Sequence, residues 1–290
     1  MKYVYVLNRF SLKNKLNPLV KRIHEVSKRR KMDYVIEINN LKTSTEDIIK
    51  KYKKEKVTFL AVGGDGTINR VLNSMIGTKN ILGFIPYGTG NDFYRTCKET
   101  LTKKENKIDL IKINNKYFIN VACFGIDADI GNNDEMIHSK IIPEKQRYNM
   151  SLIDHFIKYK TKPVKVTYQD KVWEDEMTTI AICNGRYYGG GYKVGYQSEL
   201  SNGTVDVYLI NKMKKLMMAK LIAGMNKGLH ETSLHTTKEQ LKELKIEFQE
   251  EVSSNIDGEK LTSKKFDIKV IPKGITIYYD QSLIDEVNQS

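Results

Sequence analysis

Two glycine-rich segments contain the residues that could hold a phosphate group. The first, Gly63–Thr67, reads Gly-Gly-Asp-Gly-Thr and follows the apolar stretch 57–62. The second, Tyr87–Phe93, reads Tyr-Gly-Thr-Gly-Asn-Asp-Phe and follows the apolar stretch 81–86. Glycines let the backbone approach a ligand closely, and the amide groups at the start of a helix attract anions. Strand, loop and helix in this order predict a site for a nucleotide triphosphate.

Neither segment is one of the common nucleotide-binding signatures. Gly-x-x-x-x-Gly-Lys-Ser/Thr is absent, and no Gly-x-Gly-x-x-Gly follows the first predicted strand. Taken alone, the first segment is equally compatible with a tight turn. The pair is more informative, because ligands of open α/β sheets bind at the carboxyl ends of the strands.

The surrounding elements predict a parallel sheet in the first half of the chain. Expected strands at 2–7, 34–38 and 57–62 alternate with expected helices at 16–30, 44–54 and 67–76. An apolar strand is expected at 117–124. We predict an α/β domain of residues 1–121 and a second domain of residues 122–290, with the option that the extreme C-terminal segment returns to the first domain.

Strands dominate the second half. They are expected at 164–168, 177–183, 204–210, 244–248, 266–271 and 275–279. Helices are expected at 145–160 and 212–229, and the latter is amphipathic, basic and rich in Met. Packing across the strands is the favoured role of that second helix, and contact with a membrane is the alternative.

The two glycine segments, extended to Ile68-Asn69 and preceded in the second case by Pro86, resemble the bacterial diacylglycerol kinase family of lipid kinases. This family is related to sphingosine kinases and NAD kinases. Gly-Gly-Asp-Gly marks the wider group, whereas Gly-Thr-Gly-Asn-Asp-Phe is more particular to lipid kinases. The resemblance implies an N-terminal α/β domain with an NAD kinase-like parallel sheet and a mainly β C-terminal sandwich. It also implies an active site in the cleft between them, with ATP and Mg²⁺.

The resemblance also implies which residues bind the nucleotide. Those in the two segments are Gly63, Gly64, Asp65, Gly66, Thr67, Asn69, Gly88, Thr89, Asn91 and Asp92. Asn8 and Ser11 match the family's Asn-Pro-x-Ser-Gly pattern after the first strand, although the Pro and the Gly are missing here. Arg70 stands where the family usually has Glu, and an Arg could reach a phosphate.

Four residues are candidate metal ligands. Asp65 and Asp92 are expected to organise the magnesium nucleotide, mostly through water, and each is also compatible with capping the helix that follows it. Asp109 matches a family Asp near the site, but without the resemblance it reads as an ordinary edge residue. Asn202-Gly203 stands where some family members hold a structural Mg²⁺ with Asp-Gly, so a weaker or absent ion is expected. Asn-Gly is equally typical of a type I′ hairpin turn.

The catalytic candidates lie in Asn255-Ile256-Asp257-Gly258-Glu259. Taken alone, Asp-Gly predicts a hairpin turn and Glu259 a surface residue. In the family, the same Asp-Gly-Glu supplies the catalytic carboxylates. The resemblance therefore implies that Glu259 takes the proton from the acceptor hydroxyl, while Asp257 orients it or shares the site. Two neighbouring carboxylates repel, which can raise one pKa towards the working pH.

Composition limits the partners. The net charge is +13, which suits either nucleic acid or anionic lipid headgroups. No aromatic RNA-binding signature or zinc finger is present, so nucleic acid is not favoured. The three cysteines are widely spaced and suit a reducing cytoplasm, and no stretch has the 18 to 20 apolar residues of a membrane span. We expect a cytoplasmic protein that associates peripherally with anionic membranes, and a homodimer stays open.

These observations predict an ATP-dependent kinase of a lipid hydroxyl, with diacylglycerol as the expected acceptor and phosphatidic acid as the product. Phosphatidylglycerol and sphingoid bases are alternative lipids. An NAD kinase is a further alternative, because it shares Gly-Gly-Asp-Gly. A non-catalytic protein that binds nucleotide or lipid also stays open, since several family positions are altered.

Overall fold

The computed structural model describes residues 1–125 and 161–289. The helices are α1 Arg9–Leu12, α2 Leu16–Arg29, α3 Thr45–Lys51, α4 Asp65–Met75, α5 Asp92–Thr100, α6 Lys215–Gly224 and α7 Gln281–Asn288, with 3₁₀ turns at Lys13–Lys15 and Met225–Lys227. The strands are β1 Lys2–Asn8, β2 Asp33–Asn39, β3 Val57–Gly63, β4 Ile81–Pro86, β5 Glu105–Ile113, β6 Lys116–Phe118, β7 Val121–Gly125, β8 Lys162–Tyr168, β9 Lys171–Cys183, β10 Val205–Asn211, β11 Thr236–Leu241, β12 Glu243–Ile256 and β13 Glu259–Tyr278. Within these ranges, no helix has the length and apolarity needed to cross a membrane.

The first half contains a parallel sheet in the order β4-β3-β1-β2. Every residue of β3 and β4 is buried, as expected for parallel strands that are covered on both faces. The register pairs Gly63 with Pro86. Both glycine segments therefore leave the sheet at the same edge, which confirms the predicted α/β architecture.

The long strand β13 belongs to both halves. Its first part pairs antiparallel with β12 and β5, and its register shifts between Ile271 and Ile275. Its last residues run parallel to β4, with Ile277 opposite Leu82. The following helix α7 packs on α2, where Arg29 forms an ion pair with Glu286 at 2.6 Å.

The second half is a mainly antiparallel β-sandwich. Strands follow the order β11-β10-β9-β7-β12-β13, and β8 pairs with both β12 and β9. A core of aromatic and aliphatic side chains fills one side, where the rings of Phe124 and Phe266 lie 4.8 Å apart. Helix α6 covers the other side of β7, β9 and β10.

Several predicted boundaries differ from the structure for identifiable reasons. The strand predicted at 117–124 is two strands, because the amides of residues 119–121 bind the carboxylate of Asp257 instead of extending one ladder. The strands predicted at 266–271 and 275–279 are parts of β13. Strand β11 was not predicted, since its sequence Thr-Thr-Lys-Glu-Gln-Leu lacks apolar alternation. The helix predicted at 145–160 lies outside the described residues.

Candidate active site

The first glycine segment links β3 to α4 through a tight turn. Gly64 is the N-cap of α4, and the amide of Thr67 donates to the carbonyl of Gly64 at 2.9 Å. A Cβ atom on Gly63 would lie 2.5 Å from Oγ1 of Thr67, so only glycine fits there. The amide groups at the start of α4 therefore face the open edge of the sheet, as an anion site requires.

The second glycine segment lies against the first. The amide of Tyr87 donates to the carbonyl of Gly63 at 2.9 Å, and a Cβ on Gly88 would lie 2.7 Å from Cα of Gly64. Asn91 braces the turn in a left-handed conformation (φ 53°), because its amide group binds both the N–H and the carbonyl of Gly88. The two segments predicted from sequence thus form one continuous surface.

Asp65 joins the two segments through main-chain hydrogen bonds. Its carboxylate accepts from the amides of Asp92 and Phe93, both at 3.0 Å. Asp65 therefore caps α5, and the prediction that it caps its own helix is corrected. Burial raises the pKa of Asp65, and the two amide donors oppose that shift.

Asp92 extends this connection to the second half of the chain. One of its oxygens accepts from Arg95 at 2.8 Å, and the other accepts from the amide of Gly190 at 2.8 Å. Burial, followed by the negative charge of Asp65, raises the pKa of Asp92 to about 6. Two buried carboxylates with raised pKa values therefore lie at the junction of the two segments and the loop around Gly190.

Glu259 reaches the first glycine segment from the turn between β12 and β13. Its Oε1 lies 2.8 Å from the position of a Cβ on Gly66, and 3.6 Å from Nε of Arg70. The side chain is 39% exposed, so a substrate can approach it. Burial raises the pKa of Glu259, while the charges of Arg70 and Lys116 lower it.

Asp257 faces away from this surface, although it is only two residues from Glu259. Its carboxylate is buried and accepts from the amides of Ile119 at 2.8 Å, Asn120 at 3.1 Å and Val121 at 2.9 Å. Burial raises the pKa of Asp257 to about 7, against the effect of these donors. In the structure its oxygens hold the crossing between β6 and β7, and a role of Asp257 beside Glu259 in the chemistry stays a prediction.

Asn8 and Ser11 lie at the end of β1, on the edge where the glycine segments emerge. A helix, not a loop, begins directly after Asn8, whose side chain caps it by accepting from the amide of Phe10 at 3.0 Å. The hydroxyl of Ser11 donates to the carbonyl of Asn8 at 3.2 Å and the residue is exposed. Their contact with a nucleotide stays a prediction.

Asn69 and Thr89 differ in accessibility. Asn69 is buried, and its side-chain amide donates to the carbonyl of Tyr117 at 3.0 Å. Asn69 therefore links α4 to β6, and its contact with a nucleotide stays a prediction. Thr89 lies exposed at the tip of the second glycine segment, where a ligand can reach it.

Asp109 and Asn202 lie near each other, and neither contacts a glycine segment. The fully buried carboxylate of Asp109 accepts from the amides of Gly203 at 2.6 Å and Lys273 at 2.8 Å. Oδ1 of Asn202 accepts from the amide and hydroxyl of Thr204, both at 3.0 Å. Both metal assignments stay predictions. Asp109 is fully buried, so it is not the ordinary edge residue that its sequence alone suggests. Gly203 has a positive φ of 80° but Asn202 does not, and a type I′ turn requires a positive φ at both residues, so the hairpin alternative is wrong.

Comparisons with known proteins cover nearly the whole chain. The family profile described as "Diacylglycerol kinase catalytic domain" matches residues 2–121, and that described as "YegS C-terminal NAD kinase beta sandwich-like domain" matches residues 120–279. The chain belongs to the diacylglycerol kinase family of lipid kinases. It is accordingly a phosphotransferase, and the family implies ATP as the phosphoryl donor.

Individual relatives of this lipid kinase share modest identity. A protein of Yersinia enterocolitica named "Probable lipid kinase YegS-like" is 29% identical over 243 residues, covering 75% of this chain and 77% of that protein. A diacylglycerol kinase of Bacillus subtilis is 26% identical over 221 residues, covering 69% of this chain and 70% of that protein. The crystal structure of a diacylglycerol kinase from Bacillus anthracis has a TM-score of 0.69 at 20% identity, covering 97% of this chain and 98% of that chain, and supports the fold.

Sequence reasoning missed Arg95 of the lipid kinase. Its guanidinium binds the carboxylate of Asp92 and the carbonyl of Gly90, and it lies 3.7 Å from the position of a Cβ on Gly191. Arg95 thus connects the second glycine segment with the loop of the second half. The available signal was its i,i+3 spacing from Asp92 on a helix, which is common on protein surfaces and says little alone.

Proposed function

We propose that this lipid kinase transfers the γ-phosphoryl group of ATP to the hydroxyl of diacylglycerol and produces phosphatidic acid. The observation that carries the proposal is the position of Glu259, which comes from the strand-rich half and lies against Gly66 of the first glycine segment. Phosphoryl transfer requires a phosphate site and a base for the acceptor hydroxyl within reach of each other. This contact supplies both.

The phosphate site is formed by main-chain groups. The start of α4 presents amides at the edge shared by β3 and β4, and it lies beside the turn at Gly88, whose own amide is bound by Asn91. Their hydrogen bonds to each other and to Asp65 fix the spacing of the two segments before ATP binds. Fixed donors stabilise developing charge without having to reorganise during the reaction.

Glu259 acts as the general base in this proposal. The acceptor O–H gives its proton to the carboxylate, the oxygen forms a bond to the γ-phosphorus, and the bond from that phosphorus to the oxygen of ADP breaks. Burial raises the pKa of Glu259. The charges of Arg70 and Lys116 favour the ionised form that a base needs.

Asp65 and Asp92 fit a Mg²⁺ ion bound mainly through water. The residues that the structure describes include no cluster of three or more acidic, His or Cys ligands, so a site built from protein side chains alone is not indicated there. Burial raises the pKa values of both carboxylates, and the charge of Asp65 also raises that of Asp92, so a nearby cation is favoured. Mg²⁺ typically takes one or two carboxylates together with phosphate oxygens, and it would neutralise phosphate charge here.

ADP release from ATP tests this proposal, with Mg²⁺ present, across diacylglycerol, phosphatidylglycerol and a sphingoid base in micelles, and NAD as a soluble acceptor. We expect release with diacylglycerol, and a loss of about 10²- to 10⁴-fold in kcat on Glu259→Gln with nearly unchanged ATP binding. Wild-type turnover in Glu259→Gln would refute the assignment. Release with another acceptor alone would replace diacylglycerol, and ATP binding without any release would favour a non-catalytic role.

The remaining parts of the proposal concern location. We place the kinase in the cytoplasm, at the surface of an anionic membrane, because its acceptor is a lipid and its net charge is +13. A homodimer stays a prediction.

A further inference from the structure

Helix α6 is apolar on both of its faces. Its inner face packs against the sheet, where Met218 and Leu221, followed by Met225 of the next turn, join the buried cluster on β7, β9 and β10. We predicted that this helix packs across the strands, and the structure shows this for its inner face only. The other face has no partner among the described residues.

The outer face and the segment after it carry exposed apolar side chains. Leu216 is 70% exposed and Met217 is 42% exposed, while Leu229 is 59% exposed and Leu234 is fully exposed. These are four of the eight large hydrophobic side chains that are exposed within residues 1–125 and 161–289, and they lie within 19 residues of sequence. Clustering of this kind marks an interaction site, whereas scattered single residues would not.

The same segment is strongly basic. Residues 212–230 contain five lysines and no Asp or Glu. Lys214, Lys220 and Lys227 are exposed, and Lys212 pairs with Glu176. Apolar side chains among unpaired lysines are typical of a helix that lies in the interface of an anionic bilayer.

The position of this segment suits a substrate that arrives from a membrane. Asn226 accepts from the amide of Lys193, and the ring of Tyr196 lies against Gly228. Lys193 belongs to the loop whose Gly190 binds the carboxylate of Asp92. The basic segment therefore borders the loop that closes one side of the candidate active site.

We propose that α6, together with Leu229 and Leu234, is the surface by which this kinase docks on an anionic lipid bilayer. The proposal rests on the proposed function, because a kinase needs this surface only if its acceptor is a membrane lipid. Docking through this surface would hold the candidate active site at the bilayer–water interface, where the acceptor lipid can reach it. A second copy of the chain is a poorer occupant, because two surfaces that each carry an excess of lysines would repel.

Vesicle flotation tests the docking surface. The vesicles contain phosphatidylcholine alone or with an anionic phospholipid, and the kinase is added without ATP. We expect binding to anionic vesicles that falls about tenfold or more in Leu216→Asp/Leu229→Asp and in Lys214→Glu/Lys220→Glu. Matched controls are Val172→Asp, an exposed apolar residue on β9, and Lys28→Glu/Lys79→Glu, two exposed lysines of the first half.

The outcomes separate docking from catalysis. Equal vesicle binding by the docking variants and the wild type, or no wild-type binding at all, would overturn the proposal. A docking variant that changes the solution mass would indicate self-association and would overturn it too. ADP release with an acceptor in detergent micelles should be unchanged in the docking variants. Vesicle binding through this surface without turnover on any acceptor would keep the docking surface and reject the proposed reaction.

Discussion

Replacing Asp257 with Asn separates a structural carboxylate from a catalytic one. The change keeps the size of the side chain and the left-handed backbone at this position (φ 47°), which Asn adopts at least as readily as Asp. It removes the charge and one of the two acceptor oxygens. The three amides of residues 119–121 then compete for a single carbonyl oxygen.

The expected loss of stability follows from these three hydrogen bonds. An Asn oxygen that keeps the bonds to Asn120 and Val121 turns its NH₂ group towards the amide of Ile119. One buried donor left without an acceptor costs about 1–3 kcal/mol, and two charge-assisted bonds weaken to neutral ones at about 0.5–1 kcal/mol each. Relief of the buried charge, visible in the raised pKa of Asp257, offsets part of this cost. We expect a net loss of about 2–4 kcal/mol, or roughly 5–10 °C in Tm.

Thermal unfolding and ADP release, measured on the same preparations, decide the question. Glu259→Gln is the matched comparison, because its side chain is partly exposed and forms an ion pair with the exposed Arg70. It should unfold within about 1–2 °C of the wild type while losing turnover. Asp257→Asn should show the opposite result: its Tm should be lower, and it should keep substantial turnover when assayed well below that Tm. A wild-type Tm combined with the same loss of turnover as Glu259→Gln would refute the structural role.

Three further changes test the electrostatics and the loop geometry. Arg70→Gln removes a cation next to Glu259, so the pKa of Glu259 should rise and the acid limb of the kcat–pH profile should move to higher pH. Arg70→Lys keeps the charge and should return the limb to its wild-type position. An acid limb that does not move in Arg70→Gln would contradict the ion pair. Gly88→Ala forces the glycine segments apart and should raise KM for ATP on the order of tenfold. Gly77→Ala is the control, because Gly77 has a φ of 80° and open space around it. This control should lower the Tm and leave KM for ATP unchanged. For Asp280, burial raises the pKa but bonds from Lys104 and the amide of Leu283 outweigh it and hold it at about 2, below its usual 3.8. Asp280→Asn should therefore lower the free energy of unfolding in urea by about 2 kcal/mol at pH 7 and by roughly half of that at pH 3. The loss is smaller at pH 3 because the stabilisation by the ionised carboxylate disappears as the pH falls towards 2. Equal losses at both pH values would contradict this prediction.

The meeting of the two glycine segments was predictable because its causes are local. Each glycine segment follows a short, fully apolar run, which predicts a buried strand, and each begins a helix. Parallel strands place their carboxyl ends on one edge, so two such segments meet there whatever the rest of the chain does. The contact between Gly64 and Gly88 follows from this arrangement.

The roles of the acidic residues were not predictable from local pattern, because their partners are distant in sequence. Asp257 binds amides 136 to 138 residues away, and Asp109 binds amides at 203 and 273. A buried carboxylate that binds main-chain amides and one that faces a substrate have the same sequence appearance. Only the tertiary contacts distinguish Asp257 from Glu259 within a single turn.

Asp65 illustrates why a structural and a functional role need not exclude each other. Capping by Asp65 was a correct expectation about its chemistry, but the helix it caps is α5 and not α4, because β3 and β4 are neighbours and bring the start of α5 to it. Each carboxylate oxygen keeps a second lone pair after accepting one amide. The bonds that fix the two glycine segments therefore also orient Asp65 towards the edge where a magnesium nucleotide would bind, so the same contacts that stabilise the fold prepare the site.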